Sequence, residues 1–227
     1  VQWLEKHLVD YAGNVILVEK LTTESYGSDG GRAVVEIRVK PVADLSAAAL
    51  ATASFTLPKV PVRVGQFWAF GRAADDTPSL PATALQAYLL PHYEEFAALL
   101  AEVRPALLEA IPPSQAAMGA AGELGTQMQR IRREFQRDPS LAPALRSALR
   151  AHTGAPSHNV LRALIDLYAG SSSRYLNLYG PPGTIPTIPY DRASASASEL
   201  DFGGKMVFVG FAEPRPSEED DFFYSVF

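Results

Sequence analysis

The stretch that decides the fold runs from Tyr175 to Gly210. It contains the segments YLNLYGPPGTIPTIPY at 175–190 and GKMVFVG at 204–210. The first starts as a strand and continues into a loop whose glycines give backbone freedom and whose prolines fix φ. The second is an apolar run typical of a buried strand. Because α/β proteins place ligands at strand ends, the loop predicts either a binding loop or a turn that only reverses the chain.

Five stretches of the sequence predict strands. Val15–Val18 is a continuous apolar run of the kind that is covered on both faces, and Ala33–Val39 alternates apolar with charged residues. Aromatic and β-branched residues predict further strands over Val62–Phe70, Arg174–Tyr179 and Lys205–Phe211. The expected fold class is α/β, with a mostly parallel sheet of about five strands flanked by helices.

Helical patterns occupy much of the remaining sequence. Small residues predict a helix over Asp44–Ala53, and Ser79–Leu90 predicts another with Ser79 as its cap. Between Pro91 and Gly170 the pattern is wholly helical, which predicts an inserted all-helical subdomain. Its expected helices are 92–111, 114–137, 139–151 and 156–169, the second interrupted near 119–125 by glycines. The expected domains are 1–90, the N-terminal part of the α/β domain; 91–170, the helical insert; and 171–227, the C-terminal part with the GPPGT loop.

Composition and charge exclude several classes of protein. The net charge is −5, and no clustered basic stretch of the kind that nucleic-acid binding requires is present. The chain has no cysteine, so disulfides, zinc–thiolate sites and thiol nucleophiles are excluded. No apolar run reaches the roughly 18 residues that a transmembrane helix needs. The chain begins at Val1, and we expect it to be a piece of a longer protein.

No catalytic or metal-binding constellation is predicted. The sequence lacks a G-x-S-x-G nucleophile turn, and Lys205 follows two glycines at the start of a predicted strand, where a phosphate loop would open a helix. Asp75 and Asp76 are expected to be solvated. The four histidines, His7, His92, His152 and His158, are scattered. We therefore expect no cofactor, no metal site and no enzyme activity in this chain.

The helical insert is acidic on its first helix and basic on later ones. The acidic residues are Glu94, Glu95, Glu102 and Glu109, and the basic residues are Arg130, Arg132, Arg133, Arg137, Arg146 and Arg150. Two interpretations stay open. The charges pair with each other and face solvent, or the arginine surface contacts an anionic partner, lipid headgroups or an acidic ligand.

The order of residues in the C-terminal stretch resembles the signature of the CHASE2 domain family, in which Asn-x-Tyr-Gly-Pro-Pro-Gly-Thr is followed by Pro-Thr and an aromatic. The matching residues are Asn177, Tyr179, Gly180, Pro181, Pro182, Gly183, Thr184, Pro186, Thr187 and Tyr190. Gly204–Gly210 is similar to the family's Gly-Lys-hydrophobic-Gly element, and 221–227 to its acidic-aromatic segment. The sequence departs from the family pattern in three ways. The family's opening strand–helix–strand and the stretch that leads to its membrane helices are not found between Val1 and Phe227, and the helical insert at 91–170 has no counterpart in the family.

The resemblance implies an extracytoplasmic sensory input domain of a bacterial transmembrane receptor that controls a cytoplasmic nucleotide cyclase or kinase. The partners it implies are a small-molecule or protein signal of unknown identity, flanking transmembrane helices and a second copy in a homodimer, with no nucleic acid. Two alternatives stay open. The chain is a structural or dimerisation module of a membrane protein without a ligand, or it is a fragment of a soluble α/β enzyme.

In such a fold, a binding pocket is expected past the carboxyl ends of the strands. The residues expected to line it are Glu19, Asn177, Tyr179, Gly180, Gly183, Thr184 and Gly210.

Overall fold

The structure is a computed structural model. It describes residues 12–26, 33–55, 57, 65–71, 76–152, 157–177, 180–181, 184–195 and 199–210. The described residues form a mixed α/β arrangement. The chain divides into two compact units, the first made of residues 1–56 and 68–174 and the second of 57–67 and 175–227.

The largest sheet has three strands in the order β2–β1–β3. The central strand β1 (Ile16–Tyr26) pairs antiparallel with β2 (Ala33–Val39) and parallel with β3 (Ala51–Ser54). The prediction of a strand over Ala33–Val39 is confirmed. A mostly parallel sheet of about five strands is not shown by the described residues, whose principal sheet is mixed.

Two predictions about the first unit are corrected. Val18 is 54% exposed, so the strand at its position is not covered on both faces as its apolar run predicted. The helix predicted over Asp44–Ala53 ends early: α1 covers only Ala43–Ala48, and Ala51–Ser54 is strand β3. Pairing with β1 outweighs the helix propensity of alanine here, because tertiary contacts routinely override a weak local preference.

The remaining strands are short. Strand β4 (Gln66–Trp68) pairs with β7 (Ser173–Tyr175), and β5 (Phe70–Gly71) pairs antiparallel with β6 (Thr77–Pro78). The strand predicted over 62–70 is thus split at Ala69, and its residues 62–64 lie outside the described residues. The strand predicted over 174–179 ends at 175.

The strand predicted over 205–211 is absent from its described part, 205–210, which has no regular structure. Met206, Val207, Phe208 and Val209 are 43–83% exposed. A strand exists only where a neighbour supplies its backbone partners, and the sheets formed by the described residues do not include this segment. An apolar run alone therefore misled the prediction.

Helix α2 (Leu80–Tyr88) begins after Ser79 with Pro81 in its first turn, as predicted, although the Ser79 hydroxyl makes no capping hydrogen bond. The predicted helix 92–111 ends at Val103, because Arg104 precedes a proline and leaves the helical region. The predicted break near 119–125 is confirmed, with Gly122 at φ +74°. The further helices are α3 (Tyr93–Val103), α4 (Gln115–Met118), α5 (Leu124–Arg137), α6 (Leu141–Ala151), α7 (His158–Ala169) and α8 (Tyr190–Ala195).

The core of the first unit is centred on Tyr168, which is fully buried. Its ring lies 5.8–6.4 Å from the rings of Phe70, Phe96 and Phe135. Helices α2 and α5 pack against strand β3, while α7 packs against α5 and α6. These four helices and the three-stranded sheet therefore belong to the same compact unit. Among the described residues, no helix has the length and hydropathy needed to span a membrane.

Candidate functional site

Strand β1 buries a glutamate beside an exposed valine. Glu19 is 2% exposed as a residue and its side chain is fully buried, whereas the neighbouring Val18 is 54% exposed. Burying a carboxylate is costly unless it is paired and hydrogen-bonded. This burial inverts the usual pattern and makes Glu19, one of the residues selected from the sequence, a candidate functional residue.

Both neighbouring strands supply partners to Glu19. Arg38 donates from Nε (2.7 Å) and Nη2 (2.5 Å) to Oε2, and the Thr52 hydroxyl donates to Oε1 at 2.6 Å. The strand registers explain why these side chains reach Glu19. Arg38 pairs with Leu21 and Thr52 pairs with Leu17, so each lies diagonally across from Glu19 on a neighbouring strand. The buried carboxylate is therefore held from both sides of β1.

The network continues from the sheet to strand β6 and helix α5. Nη1 of Arg38 lies 3.5 Å from the Thr77 hydroxyl, and Nε2 of Gln129 lies 3.4 Å from the same oxygen. We call Glu19, Arg38, Thr52, Thr77 and Gln129 the Glu19 cluster. The side chain of Arg38 is 29% exposed, so the cluster reaches solvent at its guanidinium.

A second arginine is buried one turn further along α5. Arg132 is 6% exposed, and its Nη1 donates to the carbonyls of Tyr168 and, at 2.8 Å, Gly170. Its Nη2 contacts the Ser172 hydroxyl at 3.4 Å, and its guanidinium lies 4.9 Å from the centre of the Phe70 ring. We call these five residues the Arg132 cluster. It holds the segment in which α7 ends and β7 begins.

Asp76 joins the two clusters because it precedes Thr77 and contacts Ser172. Its Oδ1 lies 3.5 Å from the Ser172 hydroxyl, and its Oδ2 accepts from Gln136. Burial lowers the pKa of the Arg132 guanidinium, and the negative charge of Asp76 opposes that change. Asp76 has φ +52°, a left-handed conformation that aspartate tolerates better than most residues. It was expected to be a solvated carboxylate, and the structure gives it bonded partners.

A third arginine caps the end of α7. Nη2 of Arg174 donates to the carbonyls of Asp166 and Leu167, each at 2.7 Å. The last carbonyls of a helix have no partner within it, so these bonds satisfy groups that would otherwise be unpaired. Burial lowers the pKa of Arg174, and the charge of Arg132 adds to the effect. Two guanidinium groups thus converge on the C-terminus of α7.

The predicted site residues fall in both units. Glu19 belongs to the first unit, and the others belong to the second. Tyr179 and Gly183 lie outside the described residues. Asn177 and Gly210 are exposed, and a Cβ built on Gly210 meets no atom within 4 Å.

Gly180 and Thr184 are brought together by the loop that contains them. Gly180 has φ +137°, and a Cβ built there would lie 2.6 Å from the Thr184 hydroxyl oxygen. That hydroxyl donates to the Pro181 carbonyl at 2.8 Å, and the Thr184 amide donates to the same oxygen at 3.2 Å. The loop therefore closes on itself through its threonine and needs glycine at 180.

Most members of the two clusters were missed by sequence reasoning. Arg38 belongs to the polar face of an alternating strand, which suggested solvent. Arg132 carried a usable signal: it follows Met128 by four residues, and Met128 lies on the buried face of α5 with Ile131 and Phe135. The residues not selected from the sequence are Arg38, Thr52, Thr77, Gln129 and Ser172, while Arg132 was named only among the arginines of the insert and Asp76 only as a solvated carboxylate.

The charge asymmetry of the helices resolves partly into pairs. Arg137 lies 2.5 Å from Glu134, Arg146 lies 2.7 Å from Asp166, and the Arg132 side chain is buried. His92 and His152 contact Glu95 and Glu102 at 3.1 and 3.0 Å. Among the residues that the structure describes, no three histidine or acidic side chains assemble as metal ligands do.

Comparison with known proteins adds no relative: no family model, no curated protein and no solved structure matches this chain.

Proposed function

We propose that this chain is an extracytoplasmic sensory input domain of a bacterial transmembrane receptor, which perceives a small-molecule or protein signal and controls a cytoplasmic nucleotide cyclase or kinase. The observation that carries the proposal is the ordered match of 177–190 and 204–210 to the CHASE2 signature. We also propose that the complete sheet has about five strands, most of them parallel, and so is larger than the three-stranded sheet of the described residues.

Two features of the structure support a sensory role. The signature residues Gly180 and Thr184 act together in the loop. Gly180 adopts a positive φ, and the Thr184 hydroxyl closes the loop by donating a hydrogen bond to the Pro181 carbonyl. The buried Glu19 is held by two strands, and such polar networks favour one arrangement of their elements over others. A signal that binds one arrangement more tightly than another shifts the population toward it, and that shift is the mechanism we propose.

The location is tested by labelling a single cysteine. The chain contains no cysteine, and Tyr190 is 80% exposed, so Tyr190→Cys creates one accessible thiol. In intact cells that make the parent protein, a membrane-impermeant maleimide should label this variant as fully as it does in lysed cells. The unsubstituted parent protein is the control. Labelling confined to lysed cells would exclude an extracytoplasmic position.

The signalling role is tested by the output of the parent protein. Deleting this chain, or changing Gly180 to Val in the signature loop, should alter the regulation of cyclic-nucleotide or phosphoprotein formation. The control is Gly13→Ala, because a Cβ at Gly13 meets no atom within 4 Å. Regulation that persists unchanged in the deletion variant contradicts the sensory proposal.

An assembly module is a second candidate, favoured by the exposed apolar run from Met206 to Val209. Exposed apolar patches often mark contacts between proteins. If this run mediates self-association, Phe208→Asp should lower the sedimentation coefficient of the 227-residue chain to that of a monomer. The helices of 91–170 carry much of the core, so this surface substitution is a cleaner test than deleting them. Sedimentation as a monomer without the substitution rejects the assembly role.

A further inference from the structure

We infer that Asp76 and Thr77 couple the Glu19 cluster to the junction between α7 and β7. A change at the buried carboxylate would then alter the hold on residues 170–173. The biological use of this coupling rests on the proposed sensory function. The coupling itself is a property of the folded chain and requires neither a signal nor a membrane. All of the residues involved belong to the first unit.

The first step is the Thr77 hydroxyl, which the Glu19 cluster approaches from two sides. Arg38, bound to Glu19 through Nε and Nη2, extends Nη1 to this oxygen at 3.5 Å, and Gln129 reaches it at 3.4 Å. Both contacts are longer than the ordinary hydrogen bond of about 2.7–3.2 Å and are therefore weak, so a displacement of Arg38 either strengthens or removes its contact with Thr77. A displacement of Arg38 therefore changes the hydrogen bonding of the Thr77 hydroxyl.

The second step is the peptide bond between Thr77 and Asp76. Asp76 has φ +52°, and its carboxylate contacts the hydroxyl of Ser172 and the amide of Gln136. A planar peptide group leaves few soft torsions between adjacent residues, so a shift of Thr77 also moves the backbone of Asp76. Ser172 is thereby linked to Arg38 through two consecutive residues.

The third step is Ser172, where contacts from several elements meet. Its hydroxyl contacts Arg132 at 3.4 Å, and its carbonyl accepts the amide hydrogen of Ala69 at 2.7 Å. The stability of the hydrogen bond from the Ala69 amide to the Ser172 carbonyl therefore reports on the order of the junction between α7 and β7. Nε of Arg132 is buried without a hydrogen-bond partner, which costs the described arrangement part of its stability.

The experiment measures amide hydrogen exchange at Ala69 in the 227-residue chain. Arg38→Lys keeps the positive charge beside Glu19, so the buried carboxylate is not left alone, but it removes the branched contact to Thr77. The control is Arg146→Lys, which alters another arginine–carboxylate pair, with Asp166. Exchange at Leu164, a fully buried helical residue, corrects for changes in global stability.

After this correction, Arg38→Lys should speed exchange at Ala69 by about fivefold, the effect of weakening one hydrogen bond, whereas Arg146→Lys should change it by less than about twofold. Equal effects of the two substitutions overturn the coupling. A second variant guards against a purely local effect of Arg38: in a Ser172→Ala background, Arg38→Lys should no longer alter exchange at Ala69. An undiminished effect in that background also overturns it. Neither result bears on whether the parent protein is a receptor.

Discussion

The two compact units differ in where their apolar side chains lie. Every buried side chain among the described residues belongs to the first unit, including Tyr168 and the three phenylalanines whose rings lie near it. In the described part of the second unit no side chain is buried, and Tyr175, Phe208 and Val209 are 67–83% exposed. The signature residues that suggest a function thus lie in the second unit, whereas the packed core and the buried Glu19 lie in the first.

This difference separates two kinds of information in the sequence. The signature loop of the second unit is built from local chemistry: a glycine with positive φ and a threonine that bonds three residues back, to Pro181. Such features can be read from neighbouring residues. The buried charges of the first unit depend on pairings between distant residues, for example Arg132 with Tyr168. The proposed function was inferred from local features of the sequence, whereas the polar clusters depend on pairings between distant residues.

The largest expected effect contrasts a phenylalanine from each unit. Phe96 is 1% exposed and stacks with Tyr168, so Phe96→Ala should lower the free energy of unfolding by about 3–5 kcal/mol. Phe208 is 67% exposed, and Phe208→Ala should change it by less than about 0.5 kcal/mol. Urea unfolding followed by circular dichroism measures both. Similar losses for the two variants would show that the second unit has a core of its own.

Local patterns predicted the helices well and the sheet poorly. The helices around Tyr93–Val103 and His158–Ala169 were predicted because their apolar residues repeat at helical spacing and prolines or glycines bound them. Ala51–Ser54 was not predicted as a strand, because alanine favours helices and only pairing with β1 makes it extended. In the candidate site, Glu19 was selected because it follows the predicted strand Val15–Val18, whereas β1 continues to Tyr26 and places Glu19 inside the strand. Arg38 could not be selected, because the register that brings it to Glu19 is not encoded locally.

A second test compares two arginines of helix α5. Arg132 is buried and bonds two backbone carbonyls, so Arg132→Met should cost about 3 kcal/mol of stability by leaving polar groups unpaired. Arg130 is exposed on the same helix and donates a hydrogen bond to Gln127, so Arg130→Met should cost less than about 0.5 kcal/mol. Chemical denaturation measures both variants. If Arg132→Met is as stable as the unsubstituted protein, the Arg132 cluster does not stabilise the fold.

The buried tyrosine gives the first unit a dependence on alkaline pH. Burial raises the pKa of the Tyr168 hydroxyl well above its usual value, so the folded state keeps a proton that the unfolded chain loses above about pH 10. Fewer protons bound in the unfolded state mean that stability falls as pH rises, by about 1.4 kcal/mol per unit from this group. Tyr168→Phe should reduce the slope by about 1 kcal/mol per unit between pH 10 and 11, because an unfolded tyrosine with a pKa near 10 is only about half deprotonated at the lower end of this range. Slopes that match in the two proteins across this range contradict the assignment.

The smallest contrast concerns two glycines of the first unit. A Cβ at Gly170 would lie 2.6 Å from Nη2 of Arg174 and 2.8 Å from the carbonyl oxygen of Asp166. Gly170→Ala should therefore displace the arginine that caps α7 and cost about 1–2 kcal/mol. Gly125 is the second residue of α5, where a Cβ would meet its nearest atom, in Pro78, at an ordinary 3.8 Å. Gly125→Ala should change the stability by less than about 0.5 kcal/mol, because the first turn of a helix gains less from alanine than its interior does.

Thermal unfolding of both variants measures this contrast, and Arg174→Gln provides the cross-check. If Gly170→Ala acts by displacing the cap, it should cost little more in the Arg174→Gln background, because contacting residues are not additive. A full loss in that background would mean that the clash with the Asp166 carbonyl dominates. In that case the end of α7 would be held by backbone packing, with the guanidinium of Arg174 contributing little.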